Sequence, residues 1–292
     1  NGGTRVFVTW VTKSSEIATA LETLETIDEI AIVAAPGITD ATVLSAIDAH
    51  CRQATQDRVA IFDSPETVED LSTLAPGIGA MPATSDYAAL YFPWLEVYDP
   101  TTEANIFTPP SGYMAGIYAR VDSQRGVHKA PANELILGVV GLKYALSKRK
   151  QDGLNPQGVN CIRSLNGGIR VWGARTWGGD GNGEFKYIQT RRLFNFLRES
   201  IEEGTQWTVF EPNSPELWAR INRNVTAFLT GVWRTGALFG DTPEQAFFVK
   251  CDAETNPPDL REQGQVVTEI GVAVVKPAEF VIFRLSQWNG ES

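Results

Sequence analysis

The chain has 292 residues, 43% hydrophobic and 10% aromatic, which is enough to bury real cores and by length suggests about two domains. No apolar run reaches the roughly 18 residues of a membrane span, and the opening NGGTRVFVTWV lacks the basic flank and cleavage site of a signal peptide. A protein that stays in the cytosol where it is made, without direct membrane insertion, is therefore expected, and the net charge of −10 argues against nucleic acid as a partner.

The first hundred residues read as an α/β layer. Val6 to Val11 has the β-branched and aromatic content of a strand, residues 14–26 form a polar helix, and Glu29 to Ala35 is a buried strand ended by Pro36-Gly37. Asp40 caps a helix over 41–54, and Arg58 to Phe62 is the next strand, ending at Asp63-Ser64-Pro65. This βαβ order predicts parallel strands with a right-handed crossover. Pro and Gly cluster at 76–82, Tyr87 to Val97 reads as a further strand, and the loop at 99–112 marks a boundary between an acidic α/β domain, 1–110, and an α+β domain, 111–292.

Beyond that boundary the pattern predicts a helix from Ser111 to about Val121, a turn at 125–133, a helix over roughly 134–147, and short strands at Val159 to Ser164 and Ile169 to Arg175. Leu193, Phe194, Leu197 and Ile201 then form one apolar stripe, which Gly204 is placed to end. Ser214-Pro215 opens a longer helix in which Leu217, Ile221, Val225, Phe228 and Val232 recur beside Trp218, Leu229 and Trp233, with Gly236 at its close. Thr242 with Gln245 forms a capping box around Pro243, and an antiparallel pair, Val266 to Val274 and Phe280 to Leu285, ends the chain.

Charge divides along the same lines. Residues 1–110 carry 4 Lys+Arg against 16 Asp+Glu (−12), residues 111–183 carry 10 against 4 (+6), and residues 184–292 carry 11 against 15 (−4). An acidic segment beside a basic one suits a polymer whose neighbours meet through complementary faces, although ordinary surfaces reach such imbalances too. The run Lys148, Arg149, Lys150 has no aromatic interleaving and reads as a solvated helix end.

Catalytic patterns fail one by one. Gly178 to Gly183 has the spacing of a phosphate-binding loop, but Glu184-Phe185 stands where Lys-Ser/Thr is needed, and as a calcium loop it has Phe185 in place of Gly and Arg191 in place of the bidentate Glu. A flexible surface loop is the better reading. His50 and His128 have no partners at metal-ligand spacing, and Cys51, Cys161 and Cys251 are odd in number and far apart, as buried reduced thiols would be. Asp40 and Asp63 follow strand ends, where α/β enzymes place catalytic groups, but capping and turn chemistry explain both more cheaply. Gly112 and Gly116 could permit close helix approach, with core packing as the plainer reading. Arg170, Trp172 and Arg175 alternate as on a strand edge with the arginines outside, or as a cation–π support of the tryptophan. No catalytic residue, cofactor or metal site is expected.

The wording of the chain carries more than its periodicity. The stretch from Arg191 to Leu238 resembles the C-terminal domain of contractile tail sheath proteins, found in contractile phage tails and phage-tail-like injection systems. Residues 109–134 (PPSGYMAGIYARVDSQRGVHKAPANE) and 153–177 (GLNPQGVNCIRSLNGGIRVWGARTW), then 242–258 (TPEQAFFVKCDAETNPP) and 270–287 (IGVAVVKPAEFVIFRLSQ), resemble further segments of that family in the same order. Relative to the family, an N-terminal region with an extended arm is expected to be missing here.

The resemblance implies a structural protomer, not an enzyme. Such a protomer polymerises as stacked hexameric rings around an inner tube, meets baseplate and tail-terminator or cap proteins, and contracts to drive the tube through a target envelope as part of a phage tail or a cell-associated or extracellular injection particle. It further implies that Phe280, Val281, Ile282, Phe283, Arg284 and Leu285 form a strand exchanged between subunits. Both faces of that segment are apolar, as for a strand inserted into a covered sheet. Residues 183–292 are expected innermost, with Asp241, Thr242, Glu244 and Gln245 facing the tube at a helix start. An α/β hydrolase or nucleotide-binding enzyme, and a monomeric binding module, are the alternatives that a βαβ layer alone leaves open.

Overall fold

The computed structural model describes residues 2–79, 81–165 and 167–279. Its centre is a sheet built from β1 (Ile32–Ala34), β2 (Val59–Asp63), β3 (Ala88–Phe92), β7 (Val159–Leu165) and β8 (Gly168–Val171), in the order β1-β2-β3-β7-β8. The first four strands run parallel and β8 turns back antiparallel on β7. All five residues of β2 and all five of β3 are buried, because both faces of the sheet are covered.

The period of two divides those residues between two cores. Ala60, Phe62, Ala88, Leu90 and Phe92 pack with Leu21 of α1 (Ile17–Glu25) and with Val43, Leu44 and Ile47 of α2 (Ala41–Ala49). Val59, Ile61, Ala89 and Tyr91 face α3 (Ser111–Arg125) through Met114, Ile117, Tyr118 and Val121. Asp40 caps α2 as expected, accepting from the N–H groups of Thr42 and Val43.

The sheet runs through the expected boundary at residue 110, since β7 and β8 continue the layer begun by β1 to β3. A second small sheet, β5-β4-β6, lies between: β4 (Leu95–Asp99) pairs antiparallel with β5 (Ala104–Thr108) and β6 (Gly141–Leu142). The single strand expected over 87–97 is thus two, because Pro93 has no N–H to continue a ladder. The helix expected over 134–147 does not form. Its backbone donors go across to other strands, Ile136 to Ile169 O, Val140 to Glu96 O and Lys143 to Trp94 O, and Gly138 takes a positive φ. A short helix, α4 (Lys148–Leu154), follows, capped by Ser147 with Lys148, Arg149 and Lys150 exposed.

Residues 6–11 are not a strand either. Val6, Val8 and Trp10 are 81%, 72% and 90% exposed, and β-prone side chains cannot hold a strand whose backbone has no neighbour among the described residues. The loop at 178–183 is a 3-10 turn, pinned by Asn182 Nδ2 donating to Ser85 O, Trp177 O and Thr176 Oγ1, instead of a flexible loop.

The chain then enters a separate core. The helix α5 (Ile188–Thr205) packs against α6 (Pro215–Arg234), whose buried Leu217, Trp218, Ile221, Val225, Leu229 and Val232 follow the predicted spacing. Each large aliphatic of that stripe contributes roughly 1.5–3 kcal/mol by leaving water. Gly236, at φ +81°, ends the run. A short α7 (Pro243–Ala246), β9 (Phe247–Lys250), α8 (Pro258–Glu262) and β10 (Glu269–Val272) complete the unit, with β9 and β10 antiparallel. The partner of the 266–274 strand is therefore β9, a strand the periodicity did not show, and the expected partner at 280–285 lies outside the described residues.

Candidate functional site

The two units are joined by the first half of α5. Ile188 is inserted in the core under α3, whereas Leu193 and Leu197 belong to the core with α6, so one helix serves both. Side chains fasten it. Arg191 stacks 3.5 Å from the Phe185 ring centroid and 4.2 Å from that of Tyr87 while pairing with Asp86. Arg192 forks onto both carboxylate oxygens of Asp122 and lies over Tyr118, and Asn195 Nδ2 donates to Arg58 O at 3.2 Å.

Beside this joint lies a cavity of about 700 Å³ between α3, α5 and α6, lined among others by Asp57, His128, Arg192, Phe196, Glu199 and Phe228. Burial, with Asp57, Glu203 and Asp28 nearby, raises the Glu199 pKa. Burial and Arg125 keep the His128 pKa below its usual range.

At the far end of α6 a short knob projects. Phe239 N–H donates to Ala273 O at 2.7 Å and Trp233 Nε1 to Gly240 O at 2.9 Å, which hold residues 239–240 against the β10 continuation. Asp241, Thr242, Glu244 and Gln245 are all exposed, and Phe239 is 71% exposed. These four stand side by side on the knob, but the expected capping box differs. Gln245 Oε1 accepts from Asp241 N–H, one residue before the cap, and the Thr242 side chain does not cap the helix. The Gln245 N–H that a box would give to the Thr242 side chain is taken by Thr242 O at 3.1 Å.

The other sequence candidates fall into structural roles. Asp63 Oδ1 accepts from Ser111 N–H at 2.8 Å, and Oδ2 accepts from Ser111 Oγ–H at 2.7 Å and Gly37 N–H at 3.0 Å, so it ties two loops to the sheet. His50 sits at the C-cap of α2 with Nε2 3.1 Å from Arg58 Nη1. A side chain at Gly112 would meet open space, so no close helix approach occurs there. Arg170 donates to Asn133 O, but Arg175, which one of the two readings of this stretch puts outside, is 3% exposed, because the chain leaves β8 after Val171 and folds Arg175 under residues 155–180. Among the described residues no group of three or more His, Cys, Asp or Glu is arranged to hold a metal ion, and no helix is long and apolar enough to cross a membrane. Phe280 to Leu285 lie outside the described residues.

The knob sets the exposed Phe239 ring beside the exposed polar side chains of Asp241, Thr242, Glu244 and Gln245, a surface of the kind that meets other chains. The chain belongs to the phage tail sheath family: the family's central-domain model matches residues 12–177 and its C-terminal-domain model residues 180–287. A putative prophage major tail sheath protein of Pseudomonas aeruginosa is 25% identical over 244 residues, covering 80% of this chain and 59% of that protein. The tail sheath protein of Burkholderia phage BcepMu is 29% identical over 204 residues, 67% of this chain and 42% of its own length. The chain thus spans about half the length of these relatives.

Among solved structures, the sheath complex of an extracellular contractile injection system in its contracted state superposes with a TM-score of 0.82 at 32% identity, covering 95% of this chain and 75% of that one. The reading as a hydrolase or nucleotide-binding enzyme finds no support among these relatives.

Proposed function

We propose that this chain is the working part of a contractile sheath protomer, which polymerises with copies of itself as stacked hexameric rings around an inner tube. On a signal from the baseplate the rings rotate and spread into a tighter lattice, which drives the tube through a target envelope. The finding that carries this reading is the match of both sheath domains in order over residues 12–287, together with 32% identity to a contracted sheath along 95% of the chain. The energy of contraction comes from the difference in buried and complementary surface between two lattices, so no nucleotide hydrolysis is needed. The assembled location is a phage tail or an injection particle, with tube, baseplate and cap proteins as partners.

Within the particle, the unit from about residue 183 onward lines the inside, with Asp241, Thr242, Glu244 and Gln245 toward the tube. The acidic layer of residues 14–98 faces outward, as the charge division supports. Phe280 to Leu285 crosses to a neighbour and adds to its β9–β10 sheet. Two strands alone are marginal in water, and β9 and β10 form a two-stranded sheet, so an added strand with two apolar faces is a gain for both copies. An electron-microscopic reconstruction of the extended particle tests the arrangement. The expected density has residues 241–245 against the tube; residues 14–98 in that place would overturn it.

A further inference from the structure

A carboxylate site is built at the underside of β7 and β8 from residues far apart in sequence. Arg175 is 3% exposed, and its main chain is bracketed by Asn160, whose Oδ1 accepts from Arg175 N–H at 2.7 Å while Nδ2 donates to Arg175 O at 2.8 Å. The guanidinium so held donates to Glu279 twice, Nε to Oε1 and Nη2 to Oε2, each at 2.9 Å. Asn155 Nδ2 adds a bond to Oε1 at 2.7 Å and Tyr187 O–H one to Oε2 at 2.8 Å. One carboxylate thus receives four donors from three segments, the end of α4, the chain after β8 and the N-cap of α5.

Arg175 has a second acidic neighbour, but a weaker one. Asp180 is 3.1 Å from Nη1, its side chain is 54% exposed, and it is shared with Lys186 at 2.7 Å. Water and Lys186 take most of that charge, which leaves Glu279 as the group that neutralises the buried guanidinium. Withdrawing it would strand a buried cation, a far costlier event than parting a surface pair.

We propose that Arg175, Asn155 and Tyr187 form a carboxylate latch for Glu279 of the same chain, which mounts the root of the C-terminal segment on the central unit. The path makes this unexpected, since β10 belongs to the other unit, yet by residue 279 the chain has returned to the β7–β8 side. The latch stands whether or not the following residues are donated. Its mechanical consequence rests on the strand donation proposed above: a donated segment rooted at Glu279 is pulled by the central unit as the protomer rotates.

Hydrogen exchange on the soluble full-length protomer tests the latch. Glu279→Ala should speed exchange in residues 155–158 and at 278–279 by about tenfold or more, with α6 and β9–β10 unchanged, and Glu279→Gln, which keeps two acceptor contacts, should show a smaller rise. Unchanged exchange at both segments would overturn the latch. Whether it closes within one chain is read by a short bis-maleimide on Gln157→Cys/Ala278→Cys, positions that leave the four bonds intact and compete with no accessible thiol, since Cys51, Cys161 and Cys251 are buried. A cross-linked single chain is expected, both free and in the particle; cross-linked dimers from a mixture of the two single variants would overturn it. Failure of strand donation is seen separately, as polymerisation by a chain that stops at Glu279.

Discussion

Buried carboxylates in this protein are structural fasteners, and their surroundings set how each responds to acid. Burial raises the Asp63 pKa, and its bonds from Gly37 and Ser111 only partly offset that cost. Glu279 goes the other way: burial pushes its pKa up, but the bonds from Arg175, Asn155 and Tyr187 and the Arg175 charge outweigh it, so the net shift is downward. A lowered carboxylate pKa adds stability that is full above the ordinary value near 4.5 and is lost as pH falls through the folded value. In urea unfolding of the soluble protomer, Glu279→Gln should therefore cost about 1–3 kcal/mol near neutral pH. The gap to the parent chain should close below about pH 4.5, and a gap that ignores pH would show that the ionised carboxylate is not its source. Cys51 and Cys161 are inert by the same physics, burial lifting Cys161 to about 12 and Cys51 higher, so neither is a useful thiolate at neutral pH.

At the scale of elements, α6 was legible because one periodic stripe decides it, and its energetics follow. Leu229 has no exposed surface and sits in the core shared by α5, α6 and β9, so Leu229→Ala should cost about 2–5 kcal/mol in chemical denaturation. A loss under about 1 kcal/mol would mean that this core closes over the gap. Elements decided by their pairing partners carry no such stripe. Residues 134–147 have enough aliphatic content for a helix, but Gly138 and Gly141 weaken one and open backbone on β8 and β4 competes for their donors. Residues 6–11 are strand-prone and have no strand partner among the described residues, while Phe247 to Lys250 becomes a strand because β10 lies beside it. The approach of 155–158 to 176–179 is equally silent in sequence, though it excludes any side chain at Gly158, where a Cβ at φ +84° would fall 2.1 Å from Thr176 O.

At the scale of the whole molecule, the latch at Glu279 and the strand donation proposed for residues 280–285 can be tested apart. A chain ending at Glu279 keeps the four donors occupied and loses only residues 280–292. It should remain soluble with the melting curve of the parent and fail to form tubes, as sedimentation and electron microscopy would show. Tubes of normal length from this truncated chain would mean that the segment serves its own protomer or nothing in assembly. The ion pairs of Arg191 with Asp86 and of Arg192 with Asp122 fasten the two units to each other through α5.

The sequence by itself determined the class of layer in the first hundred residues, the cap at Asp40, the two long helices and the kinship of the chain with tail sheaths. These rest on local signals, such as side-chain period, caps and runs of wording that survive in order. Only the tertiary structure decided that the sheet passes residue 110, that Arg175 turns inward, that β9 pairs with β10, and that Glu279 returns to residues 155, 175 and 187. Those choices depend on which backbone or charge is left unsatisfied once the layers have packed, and residues 104 and 124 positions apart carry no sign of it in either neighbourhood.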